Sequence, residues 1–150
     1  MKTLLPLLFS CLLLAACGTG SDSPSAEPAA ATDPSGLTAA QLEHGIGPIE
    51  AFEPGPLDAA QAEKGAEVFK LKCSACHKMD ARYVGPALAT VTQTRSSAYI
   101  MNMILNPAEM LEKHPEAKAK LAEFMTLMPN QNLTQDEARA ILEYLRQQAP

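Results

Sequence analysis

The stretch KLKCSACHKM, residues 70–79, places two thiols and an imidazole within five consecutive residues, 73–77. Cys73 and Cys76 are separated by two residues, and His77 follows directly. Zinc coordination, dithiol–disulfide exchange and covalent haem attachment all use cysteine pairs at this spacing. Each of these chemistries makes a different demand on the rest of the chain.

The N-terminus carries an export signal. Lys2 precedes a largely apolar run over residues 4–14, which is too short to anchor in a bilayer and typical of a secretory signal. The following Leu14-Ala15-Ala16-Cys17 resembles the bacterial lipobox, in which the cysteine is lipidated and becomes the first residue of the mature protein. Ordinary cleavage beside an incidental cysteine is the alternative. We therefore expect a lipoprotein signal peptide over residues 1–16 and a lipid on Cys17.

Export also determines the expected location and the state of the cysteines. Gly18, in place of Asp, resembles lipoproteins that are sent to the outer membrane. We expect an extracytoplasmic protein on the periplasmic side, held by its lipid alone at a membrane, for which the outer membrane is one candidate. The mature domain keeps only Cys73 and Cys76, and two free thiols in an oxidising compartment tend to oxidise unless another chemistry occupies them.

Charge and composition divide the mature chain into three parts. The net charge is −5, but residues 18–56 contain six acidic residues and no Lys or Arg, whereas residues 57–150 contain 11 of each sign. Residues 17–36, rich in Ser, Pro and Ala, predict a flexible tether. Residues 37–56 predict an irregular strap against the domain, or alternatively more linker, because apolar residues recur there: Leu37, Leu42, Ile46, Ile49 and Phe52. Residues 57–150 form one domain.

Two helices are clearly indicated at the ends of this domain. Asp58, with Gln61 three residues later, predicts the start of a helix that continues to about Leu71. Thr134-Gln-Asp-Glu137 is a capping-box pattern that opens the last helix. Its apolar residues follow helical spacing: Ala138, Ile141, Leu142 and Leu145.

Shorter helices are predicted between these two. Ser96 or Ser97 can cap a helix over residues 98–105, and Pro107 and Pro115 can each begin another, the second reaching about Met125. Nothing between residues 57 and 150 alternates as a strand does. The sequence therefore predicts an all-α domain.

These features separate the three chemistries of the cysteine pair. A structural zinc site needs four ligands, yet the chain has no second cysteine pair, and His44 and His114 are far away in sequence. A thioredoxin-type dithiol needs a strand before the motif, and here a helix precedes it. Covalent haem needs two thiols for the two vinyl groups and an adjacent histidine for the iron, which C-x-x-C-H supplies.

The domain resembles the class I monohaem c-type cytochromes over nearly all of residues 57–150. The matching features occur in the family's order: Gly65 and Phe69, Cys73 to His77, Gly85-Pro86-Ala87-Leu88, Met128-Pro129-Asn130, and Tyr144. The resemblance implies three to five helices around one covalently attached haem c. It also implies that the first and last helices cross at Gly65, with Phe69 packed near Tyr144.

The resemblance further implies a set of ligands. Cys73 and Cys76 would hold the haem through thioethers, and His77 would bind the iron, with its other ring nitrogen bonded to the Pro86 carbonyl. Met128, in a non-helical segment before Pro129, would be the ligand on the opposite face. The alternatives for that ligand are Met125, His44 and His114. His114 lies in a polar run and is expected to face solvent, and His44 is expected to be structural or exposed.

Ligation of iron by both His77 and Met128 leaves no open position for a substrate. We therefore expect a single-electron carrier, not an enzyme, that shuttles electrons between extracytoplasmic respiratory redox proteins. The alternative is a haem enzyme or sensor, peroxidase-like or gas-binding, with a labile sixth ligand.

Basic residues surround the motif and suggest where a partner docks. Lys70, Lys72, Lys78 and Arg82 flank it, opposed only by Asp80. They predict either a rim that attracts an acidic redox partner or a scatter of solvated side chains. No nucleic-acid partner is expected.

Overall fold

The computed structural model describes residues 32–150, and their regular structure is helical. The helices are α1 (Ala39–His44), α2 (Ala59–Lys72), α3 (Val91–Thr94), α4 (Ser97–Leu105), α5 (Pro107–Lys113), α6 (Pro115–Phe124) and α7 (Gln135–Gln148). Within this part of the chain there is no β-strand, only an isolated bridge between Thr32 and Thr38. The all-α prediction is confirmed. The predicted signal peptide, Cys17 and the tether as far as residue 31 lie outside the described residues.

Residues 32–150 form seven helices, and the two that the sequence did not predict are short. One is α3, which has four residues. The other is α1, which lies in the segment predicted to be irregular and has six residues. Thr38 and Gln41 form a complete capping box at the start of α1, and this stabilises a helix in a segment rich in Gly and Pro.

The first and last long helices, α2 and α7, pack against each other more extensively than any other pair. Gly65 allows this close crossing, because a Cβ at that position would collide with the backbone carbonyl of Ala140. One turn further on, the Phe69 and Tyr144 rings pack with their centroids 5.2 Å apart. Both contacts are those that the resemblance implies for these helices.

The apolar core consists of two clusters. The first combines buried residues of α2, α4 and α7, among them Phe69, Ile100 and Ile141. The second combines residues 37–46 with α4, α5 and α6, and its buried members include Leu37, Ile46 and Met110. Because α4 contributes buried residues to both clusters, it connects them.

Within the predicted strap, Leu37, Leu42 and Ile46 pack in the second cluster and Ile49 packs against the first. From here on, the strap means residues 37–49. Buried Asn102 of α4 bonds the strap backbone three times, through Nδ2 to the carbonyls of His44 (2.9 Å) and Ile49 (2.8 Å) and by accepting the Ile49 N–H at 3.0 Å. The Ile46 N–H points at the thioether of Met110 at 3.0 Å. Backbone groups that lack partners within a helix are thus satisfied by side chains of the domain.

His114 corrects one of the predictions. The sequence placed it in solvent because its neighbours are polar, but only 1% of its surface is exposed. Its Nε2 donates to the carbonyl of Leu42 at 3.0 Å, and Nδ1 accepts the N–H of Glu116 at 3.3 Å as the cap of α6. The strap covers this position from 72 residues away in sequence, and local polarity gives no sign of that.

Residues 33–37, at the end of the predicted tether and the start of the strap, form a turn. The Asp33 carboxylate accepts the N–H groups of Ser35 (2.9 Å) and Leu37 (3.2 Å), so an ordered turn precedes the strap. These bonds hold the pKa of Asp33 below its ordinary value, the Ser35 hydroxyl contributing most. No helix among residues 32–150 combines the length and apolar character needed to cross a membrane.

Candidate functional site

A cavity of about 370 Å³ lies between the two apolar clusters. Phe69, Ile100 and Ile141 of the first cluster line it, and so do Leu111 and Ala117 of the second. Its lining is therefore mainly apolar, which suits a flat, hydrophobic ligand with few polar groups.

The cysteine motif enters this cavity from the end of α2. Cys73 is the C-cap residue of that helix, and its carbonyl accepts the N–H groups of Cys76 at 3.0 Å and His77 at 2.9 Å. This tight turn brings all three side chains to the cavity wall. Burial raises the pKa of the Cys73 thiol to about 11, with the neighbouring Cys76 adding to the effect. A thiol with so high a pKa is poorly suited to disulfide exchange, which requires the thiolate.

The His77 ring is held in one orientation by the loop that follows it. Its Nδ1 lies 3.1 Å from the carbonyl oxygen of Pro86, so the ring donates there and leaves Nε2 for another partner. Gly85 packs directly on the ring, since a Cβ at that position would approach His77 Cε1 to 2.6 Å. The Gly85 N–H also donates to the carbonyl of Cys76 at 2.8 Å, which fastens this loop to the motif.

Two thioethers line the cavity, Met128 and Met103. Met128 belongs to the non-helical segment between α6 and α7, and it packs against the second apolar cluster. Met103 lies within α4, where a methionine commonly fills space. The cavity thus offers Met128, as the sequence predicted, together with a second sulfur, that of Met103.

The other candidates for that ligand do not line the cavity. Met125 is 88% exposed at the left-handed C-cap of α6. His44 Nδ1 lies 3.2 Å from the hydroxyl of Ser96, and both ring nitrogens of His114 are occupied by the strap and α6.

Some residues at the site were missed by the sequence analysis. Tyr99 lines the cavity and is buried, and this burial raises the pKa of its hydroxyl. Arg95 also lines the cavity, with its guanidinium 5.2 Å from the centre of the Tyr99 ring. The spacing of Tyr99 and Met103, four residues apart on one helix, was the available signal that both face the same way.

The basic residues near the motif do not all behave alike. Lys70, Lys72 and Lys78 are exposed, and Lys72 reaches the cavity wall. Arg82 instead forms an ion pair with Glu123 at 3.2 Å. Three of the four predicted rim residues are therefore free of ion pairs among the described residues, and the fourth is engaged.

Comparison with known families gives the same assignment as the cysteine motif. The profile of the family described as cytochrome c matches residues 62–149. The chain belongs to the cytochrome c family. Its cofactor is haem c, attached covalently through a C-x-x-C-H motif that Cys73, Cys76 and His77 form in this sequence. Electron transfer through that haem is the function that family membership indicates.

Solved structures of cytochromes show the same fold. A cytochrome c from Rhodothermus marinus is 44% identical, with a TM-score of 0.70, and the match covers 78% of this chain and 97% of that one. The cytochrome c domain of the pp3183 protein from Pseudomonas putida is 30% identical, with a TM-score of 0.51, over 55% of this chain and 85% of that one. The class I cytochrome c fold is therefore confirmed.

A curated relative, described as cytochrome c-553-like, comes from Synechocystis sp.. It is 30% identical over 69 residues, and the match spans 43% of this chain and 66% of the relative. The chain therefore matches somewhat less than two thirds of that protein's length.

Proposed function

We propose that this cytochrome c is a membrane-anchored single-electron carrier whose haem iron is ligated by His77 and Met128. The observation that carries the proposal is that the two thiols, the imidazole and the Met128 thioether all line one cavity. These groups fit haem c, which needs two thioether links, a nitrogen ligand and an apolar pocket.

When bound, haem c supplies an iron that takes up and releases one electron. The protein's residues hold that group in place. Cys73 and Cys76 attach it from the C-terminal end of α2, and the Pro86 carbonyl fixes the His77 ring so that Nε2 points away from the loop. The apolar walls from both clusters exclude water, and their close packing limits structural change between oxidation states.

Electron exchange also needs a face that a partner can reach. Val84 and Leu127 line the cavity and are 38% and 68% exposed, so they mark an accessible edge. Exposed Lys70, Lys72 and Lys78 lie near the cysteine motif and supply a positive rim for an acidic respiratory redox protein. Arg82 belongs to this rim in sequence, although its charge is partly offset by Glu123.

The proposed location follows from the sequence before residue 32. A lipid on Cys17 and a short tether would keep the domain near membrane-bound donors and acceptors on the periplasmic side, at the outer membrane. The lipid raises the effective concentration of these partners without adding a contact. Metabolic labelling with a radioactive fatty acid tests the anchor, since Cys17→Ser should abolish incorporation while Cys11→Ser should leave it unchanged.

The absorption spectrum of the purified holoprotein tests the carrier function. A low-spin spectrum that contains the weak far-red band of a methionine–iron bond, with no CO binding to the ferrous protein at neutral pH, is the expected result. A high-spin spectrum, or rapid CO or cyanide binding, would instead indicate an enzyme or sensor with a labile sixth ligand.

A further inference from the structure

Arg82 makes an unusual group of contacts for an exposed side chain. Its Nη1 pairs with Glu123 Oε1 at 3.2 Å, and its Nη2 donates to the Glu123 backbone carbonyl at 3.0 Å. Its guanidinium also stacks over the Phe124 ring, 4.1 Å from the ring centre. A planar guanidinium holds a carboxylate, a carbonyl and an aromatic face in one fixed arrangement. The ammonium group of Lys120 also contacts Glu123, at 2.7 Å, but it lies further from the Phe124 ring, 5.8 Å from the ring centre.

These contacts join two segments that both line the haem cavity. Arg82 stands just before Val84, Gly85 and Pro86, the loop that lines the cavity beside His77. Glu123 and Phe124 stand just before Thr126, Leu127 and Met128, which also line the cavity. Arg82 and Glu123 are 41 residues apart in sequence, and their contact links the two segments.

The same contacts stabilise the end of α6, where the chain turns towards Met128. The carbonyl of Glu123 is among the last four of that helix, which have no partner within it, and Arg82 supplies one. The next turn depends on Met125, which holds a left-handed conformation with φ of 52°. A side chain other than Gly or Asn rarely adopts this conformation, so neighbouring contacts must maintain it.

We propose that Arg82 is a positioning residue that clamps the segment 124–128 to the loop 82–86 and thereby keeps Met128 on the iron. The proposal rests on Met128 being the iron ligand. It assigns Arg82 a role different from partner docking, although both roles use a basic residue beside the cavity. The clamp slows the transient movement of segment 124–128 away from the haem, and so it limits displacement of Met128 by an external ligand.

The rate at which imidazole displaces the native ligand from the ferric holoprotein measures this movement. We expect Arg82→Gln to bind imidazole roughly three- to tenfold faster than the wild type, because an exposed ion pair and a cation–π contact are both lost. Arg82→Lys should fall between the two, since it restores the charge but not the planar stacking.

Lys113→Gln is the matched control. Lys113 is exposed and pairs with Glu109 at 2.8 Å within α5, so this change also removes one positive charge and one exposed ion pair, but neither residue lines the cavity. The rate of imidazole binding to this variant should equal that of the wild type. Equal rates for Arg82→Gln and Lys113→Gln, whether raised or unchanged, would overturn the clamp.

Amide hydrogen exchange separates failure of the clamp from failure of the proposed ligand. The Met125 N–H donates to the Leu121 carbonyl at 2.8 Å, and its exchange should be faster in Arg82→Gln than in Lys113→Gln. If the wild type lacks the far-red methionine band, the ligand assignment fails and this exchange rate alone decides whether Arg82 clamps the segment. Unchanged exchange in Arg82→Gln would overturn the clamp whichever ligand binds the iron.

Discussion

The side chain of Asn102 and the backbone of Ile49 form a reciprocal pair of hydrogen bonds, at 2.8 Å and 3.0 Å. The same amide donates to the carbonyl of His44 at 2.9 Å, and Asn102 is completely buried. One side chain of α4 therefore fixes the strap on both sides of its Gly45–Gly47 bend. The opposite part of α4 lines the haem cavity, so the strap supports the wall of that cavity from behind.

Replacing Asn102 with Ala should destabilise the holoprotein by about 2–4 kcal/mol, because buried groups of the strap backbone would lose their partners. Urea unfolding of the holoprotein measures this change. Asn106→Ala provides the comparison, since Asn106 is half-buried and makes a single bond to the strap, to Ile46 at 3.2 Å. If the two variants lose the same stability, the strap is not fastened mainly through Asn102.

Gly65→Ala tests the helix crossing, because two effects have opposite signs there. Helix propensity alone predicts that Ala stabilises α2 by about 1 kcal/mol. The added Cβ would collide with the Ala140 carbonyl, and such overpacking typically costs about 1–3 kcal/mol. We expect a lower melting temperature, whereas Gly55→Ala, with nothing within 4 Å, should change little. A higher melting temperature for Gly65→Ala would contradict the close crossing of α2 and α7.

The capping box of α7 predicts a pH dependence of stability. The N–H of Thr134 donates to Glu137 at 2.8 Å and, with the Thr134 hydroxyl, holds the pKa of Glu137 below its ordinary value of 4.5. A lowered pKa contributes stability that is present above pH 4.5 and disappears as the pH falls through the folded-state value.

Thermal unfolding of Glu137→Gln and the wild type across that pH range measures this contribution. The wild type should be the more stable at pH 7, and the two proteins should converge below pH 4.5. A difference that stays constant through the acid range would show that the carboxylate charge does not stabilise the cap.

The exposed lysines predict a charge-dependent rate of electron exchange. Lys72→Glu should slow reduction of ferricyanide, an anion, and speed reduction of tris(phenanthroline)cobalt(III), a cation, because the local field becomes less positive. Lys64→Glu, exposed on α2 two turns before Lys72, is the matched control for total charge. The effect of Lys72→Glu should fade as salt is added. Equal effects of the two substitutions would argue for scattered solvated lysines instead of a rim.

Local signals in the sequence predicted the helices and the haem motif well. The cap at Asp58, the capping box at Thr134 and the prolines at 107 and 115 all begin helices in the structure. These features act within one helical turn, so their consequences can be recognised without the fold. The capping box of α1, Thr38 with Gln41, was an equally local signal and could have predicted that helix.

The features that sequence reasoning missed depend on contacts between distant residues. His114 is buried because Leu42 and the strap cover it, and Arg82 is engaged because the end of α6 approaches its loop. The polar neighbours of His114 suggest exposure, and tertiary packing overrides that local indication. Arg82 is exposed, as its charge suggests, but its contacts with Glu123 and Phe124 involve a segment about 41 residues away in the chain, so they appear only in the structure.

The far-red spectrum of three ferric holoproteins tests the central claim most directly. The wild type and Met103→Leu should both show the methionine–iron band, since Met103 lines the cavity without binding the iron, and Met128→Ala should lose it. Loss of the band in Met103→Leu with its survival in Met128→Ala would contradict ligation by Met128 and move the distal ligand to α4.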